Sequence, residues 1–148
     1  MRTKNSAFSH PYFLQPLDAK GTSKEFSNTK DSRISAQDIC FVYITNPTYD
    51  TAREIARTLL EKRLISCANI YPITSLYWWE GKISEEGEVV VIGKTIVSKY
   101  AAVREAVELS HPYKIPCVIK LMVEANPSYH SWLIDQVLPR DSAPDYGS

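Results

Sequence analysis

The sequence has no long apolar run, no excess of either charge and no paired cysteines. Each absence closes off a class of function. Without about 20 consecutive apolar residues, no membrane-spanning helix is expected. Lys plus Arg and Asp plus Glu are 17 each, so the formal charge cancels. A nucleic-acid interface or an anionic membrane contact normally announces itself as a basic excess or stripe, so neither is expected. The segment TNPTYD, residues 45–50, follows the first apolar run and holds neither glycine nor a basic side chain. That argues against a phosphate-cradling loop, and with it against a phosphate-handling enzyme. Cys40, Cys67 and Cys117 make no CxxC pair and sit in the apolar contexts DICFVY, ISCANI and IPCVIK. They read as small buried hydrophobes in a reducing compartment, which places the protein in the cytoplasm.

What is present divides into two parts. Residues 1–36 are rich in Ser, Thr, Asn and Lys, and their few apolar residues keep no period. Such a segment cannot bury enough surface to offset chain entropy, so it reads as a disordered extension, with organelle targeting as its functional alternative. Residues 37–140 form the expected domain, and 141–148 a flexible tail. The apolar fraction of 44% is enough for a real core in one domain.

Within the domain, ICFVYIT from Ile39 suits a buried strand that stops at Asn46-Pro47. Ala52, Ile55, Ala56, Leu59 and Leu60 then fall on one helical face. Asp50 or Thr51 is the expected cap, and Thr51 with Glu54 matches a capping box. An extended stretch from Cys67 to Trp79 is interrupted by Pro72, which marks a bulge or an edge. Glu80-Gly81 is a hairpin turn, and a strand returns from Ile83 to about Thr95. A helix over 98–109, a strand over 117–123 and a helix opened by Asn126-Pro127 complete the pattern. The order predicts an α+β fold: a ferredoxin-like βαββαβ antiparallel sheet, helices on one face, plus a C-terminal helix. In YWWEGK, residues 77–82, three bulky aromatics stand in consecutive positions. A strand points successive side chains to opposite faces, so at least one must leave its own core.

Four blocks together carry a resemblance: SLYWWEGKI at 75–83, EGEVVVIGKT at 86–95, HPYKIP at 111–116 and YHSW at 129–132. In content and spacing the chain resembles the CutA family, the divalent-cation tolerance proteins, over about residues 39–138. The resemblance implies a ferredoxin-like domain assembled as a homotrimer, similar in architecture to the PII signalling proteins. It implies that Tyr77, Trp78 and Trp79 pack between subunits. It implies a role in tolerance of copper and other divalent cations, with no enzymatic reaction. Small-molecule or anion sensing in the PII manner is one alternative. A scaffold role is another, since vertebrate relatives are connected with anchoring of acetylcholinesterase.

Bacterial members tied to copper use a first-strand cysteine and a His-His pair before Pro-Tyr. Here those positions carry Ile44 and Ser110-His111. Cys40 lies four residues earlier on the same strand, about 13 Å away. His111 is therefore the one imidazole left for copper or another divalent cation, and weak binding follows. A helix-ending structural histidine is the plainer reading. Lys82, Glu88, Lys94 and Tyr113 match polar positions of the blocks and are the expected lining of a pocket between subunits. The plainer reading makes the charged ones solvent-facing. Acylphosphatases share the fold but need an arginine in the loop that here reads TNPTYD.

Overall fold

The structure, a computed structural model, describes residues 33–138. Most of the expected extension, with its targeting alternative, and the whole tail lie outside the described residues. The elements are β1 Ile39–Asn46, α1 Tyr49–Glu61, β2 Cys67–Trp79, β3 Lys82–Ile96, α2 Tyr100–Ser110, β4 Val118–Met122 and α3 Pro127–Val137. The four strands form one sheet in the order β2-β3-β1-β4, with every neighbour antiparallel. This is the expected ferredoxin-like arrangement.

Alternation assigns the faces. Val42, Ile44 and Val91 point to one side, where they are buried against Ala52, Ile55 and Leu59 of α1 and Val103 and Val107 of α2. Ile39, Phe41 and Tyr43 point to the other, with Ile96 and Lys94 across the ladder. There α3 buries Leu133 and Val137 against Ile39 and Ile96. It covers only one end of that face. The other end is left to the site described below.

Local chemistry departs from expectation in three places. The cap of α1 is Thr48, whose hydroxyl accepts the Thr51 N–H at 3.1 Å. Pro47 ends β1 so abruptly that the helix starts before Asp50 or Thr51 is reached, and the expected capping box is displaced. Ser98 does not open a helix: Val97–Lys99 make a 3-10 turn, with the Ser98 N–H spent on the Ala36 carbonyl. Arg63 closes α1 at φ 51°, letting the Leu64 N–H reach the Leu59 carbonyl at 2.9 Å. A residue other than glycine holds this left-handed position because the helix-end bonds repay the strain.

Pro72 lies on the edge strand β2, where its missing donor breaks no inner ladder. Beyond Pro72 the hairpin leaves the sheet. β1 pairs with β3 only from Val89 to Ile96, so the pairs from Ile73↔Glu88 to Trp79↔Lys82 stand as a two-stranded arm. It projects roughly 20 Å. Glu80 and Gly81, both at positive φ, close it in two residues. Trp78, Leu76 and Ile83 share one side of the arm, and Tyr77 and Trp79 the other. Trp78 is 72% exposed in the chain.

Candidate functional site

The open half of the sheet forms the floor of a cleft of about 850 Å³. Tyr43 and Thr45 of β1, Glu86 and Glu88 of β3, and Ile73, Tyr77 and Trp79 of β2 supply the floor and one wall. Alternation and register place all of them on the same face. The second wall is the segment between α2 and β4, through Tyr113, Ile115 and Cys117.

That segment is held by a chain of hydrogen bonds. His111, the residue that ends α2, places Nε2 2.8 Å from the Thr45 carbonyl oxygen. A carbonyl only accepts, so Nε2 carries the proton. Nδ1 accepts the Tyr113 N–H at 3.0 Å. The two rings touch, with centroids 4.9 Å apart. Tyr113 Oη in turn donates to Glu88 Oε1 at 3.1 Å. On the arm, Tyr77 Oη donates to Glu86 Oε2 at 3.0 Å. His111 and Tyr113 thus tie the 111–117 segment to β1 and β3, and the Tyr77–Glu86 bond links the two strands of the arm, so the cleft wall is set by side chains rather than by the loop alone.

The expected site residues divide accordingly. Glu88 and Tyr113 meet. Lys94 does not join them: it lies six residues along β3, roughly 20 Å away, and its Nζ sits 5.8 Å from the Phe41 ring centroid and 5.5 Å from that of Tyr129. Lys82 lies as far in the other direction, paired with Trp79 at the arm's tip. Within one chain, neither lysine lines the cleft. His111 is 9% exposed and has both ring nitrogens engaged inside the fold. A metal would have to displace one of those bonds. Among the described residues no group of three or more His, Cys, Asp or Glu stands close enough to hold an ion.

Thr45 was not singled out by the sequence, Cys117 was read only as a buried hydrophobe and Tyr77 only as a subunit contact, yet all three line the cleft, with Glu86 bonded to Tyr77. Only the alternation of Glu86 and Glu88 hinted that two carboxylates share a face. The cysteines also differ from the reading as core residues. All are free, and Cys40 is buried, but Cys67 and Cys117 are only half-buried. Cys67 Sγ lies 3.3 Å from Tyr129 Oη. Burial, and then the Glu88 charge, push the Cys117 thiol up, outweighing its bonds to Thr45. It is a poor nucleophile at neutral pH.

Burial first, then the bond to Glu88, push Tyr113 up to about 12. The folded chain keeps this proton while the unfolded chain loses it near 10.0. Stability is therefore unaffected below that pH and falls as pH rises from there to about 12. Melting temperature measured across this range is expected to drop, and Tyr113→Phe to flatten part of the drop. Tyr129, also pushed up to about 12 by burial and its Cys67 contact, supplies another part. An identical pH profile in the Tyr113→Phe chain would contradict this assignment.

Comparison with known proteins gives a consistent result. The family model described as CutA1 divalent ion tolerance protein matches residues 40–136. The chain is 46% identical over 84 residues to the divalent-cation tolerance protein CutA of Archaeoglobus fulgidus, covering 57% of this chain and 82% of that one. It is 38% identical over 129 residues to a CutA homolog of Xenopus laevis, covering 85% of each. Among solved structures it is similar to the periplasmic divalent cation tolerance protein CutA from A. fulgidus. There the TM-score is 0.66 at 40% identity, over 68% of this chain and 99% of that one.

Proposed function

Because this chain belongs to the CutA1 divalent ion tolerance family, we propose that it serves divalent-cation tolerance as a homotrimer, without enzymatic turnover. The family match over residues 40–136 carries this reading. The β2–β3 arm supports the assembly. A two-stranded hairpin is marginal alone in water, and this one exposes Leu76, Trp78 and Ile83 on one side. A neighbouring subunit is the natural cover, and a closed ring also protects the outer edges of β2 and β4.

Direct, tight capture of copper by His111 is not part of the proposal, since its ring is committed to Thr45 and Tyr113. The cleft argues against anion sensing as well, because its acidic side chains repel an anion. Free thiols suit the cytoplasm, although the A. fulgidus relative is described as periplasmic. No helix of the described residues is long and apolar enough to cross a membrane.

The test is rescue. A bacterial strain sensitised to copper by loss of its own CutA-family protein should regain growth on elevated copper when this chain is expressed. Failure to rescue, with soluble chain confirmed in the cells, would overturn the proposed role.

A further inference from the structure

We propose that the cleft between the β2–β3 arm and the 111–117 segment binds a small organic cation, an alkylammonium group seated on Glu88 and Glu86 against aromatic rings. Glu88 is only 9% exposed, and its carboxylate receives a tyrosine hydroxyl rather than a positive charge. Glu86 likewise receives Tyr77. The ion pairs among the described residues, Arg53–Asp50 and Arg104–Glu108, involve neither. Lys114 lines the cleft but pairs with neither carboxylate. A negative charge so far withdrawn from water favours a cation beside it.

The surroundings select the kind of cation. The rings of Tyr43, Tyr113 and Trp79 line the same cleft, and π faces attract ammonium groups. Ile73 and Ile115 offer apolar surface to a short alkyl chain. A bare divalent ion asks for six or more oxygen ligands in most carboxylate sites. Here both tyrosine hydroxyls already donate to the carboxylates, and no third acidic, His or Cys ligand stands close enough to complete a metal-binding group. An alkylammonium needs fewer contacts and uses the rings as well. Glu86 and Glu88 lie two residues apart on one strand face, roughly 7 Å along the chain. That spacing suits the two ends of a short diamine. This inference concerns ligand chemistry and holds whether or not the metal-tolerance role does.

The experiment is calorimetric titration of the full chain, in its native assembly, at neutral pH and low salt. The probes are 1,4-diaminobutane, n-butylammonium and, as the anionic control, butyrate. Saturable binding of the diamine at one site per chain is expected, with weaker binding of the monoamine and none of butyrate. Glu88→Gln should weaken both amines about tenfold or more, a change of roughly 1.4 kcal/mol or above. Glu86→Gln, on the exposed arm, should weaken the diamine selectively and guards against a folding defect in the first variant. The proposal is overturned if the diamine produces no saturable heat, or if neither glutamine variant changes its affinity. It is also overturned if zero-length cross-linking joins Glu88 to a lysine of a second copy, since the cation would then be the protein's own.

Discussion

Replacing Trp78 by glutamate is expected to break the assembly into single chains, the largest change any one substitution should produce. In the isolated chain Trp78 is 72% exposed on the arm, beside Leu76 and Ile83. A charge there would be nearly neutral if that surface met water, within roughly 0.5 kcal/mol. Against a neighbouring subunit the same change removes a large ring and buries an unpaired carboxylate. Truncating a packed Trp alone costs roughly 3–5 kcal/mol, and each subunit contact carries one. Light scattering at low micromolar concentration should therefore give about three times 16.8 kDa for the unaltered chain and about that mass for the variant. A single-chain mass for the unaltered protein would sink the trimer. An unchanged mass for the variant would mean that the arm packs elsewhere.

The second large effect lies inside the chain. Leu59→Ala should lower the unfolding free energy by roughly 2–5 kcal/mol, a large share of the roughly 5–15 kcal/mol typical of a domain. Leu59 is 1% exposed and packs in the cluster that joins α1 to Val42, Ile44 and Val103. Leu109→Ala is the internal control, because Leu109 is 82% exposed on the far side of α2. Its cost should stay within about 0.5 kcal/mol. Urea unfolding of both variants checks this pair of values, and equal midpoints would show that the helices are not held through this face.

These two effects differ in how far they could be foreseen. The spacing of Ala52, Ile55, Ala56 and Leu59 already names the inward face of α1, because a helix has one period and a sheet face to cover. Leu60, counted with them, falls at the edge of that face and is 40% exposed. The hairpin turn at Glu80-Gly81 and the edge position of Pro72 follow from equally local chemistry. So does the opposition of Trp78 to Tyr77 and Trp79, since strand alternation admits no other arrangement.

Where neighbours in space are far apart in sequence, the pattern stops helping. Thr48 rather than Asp50 caps α1 because Pro47 fixes where β1 ends, a choice between adjacent hydroxyl and carboxylate residues that periodicity does not rank. His111 was legible as a helix end and as an imidazole. Only the fold brings it to the Thr45 carbonyl, 66 residues away, and so decides that the ring works as a strut. Likewise, four polar residues at matching positions suggested one pocket, yet β3 holds Glu88, Lys82 and Lys94 at fixed intervals along an extended backbone. A strand cannot fold back to gather them. The 111–117 segment can approach Glu88, which brings Tyr113 and Cys117 to the cleft. Sequence alone determined the elements, their faces and the family, because those depend on local periods and spacing. The tertiary structure decided which carboxylates, rings and thiols share a cavity, because that depends on the register of strands paired across long stretches of chain.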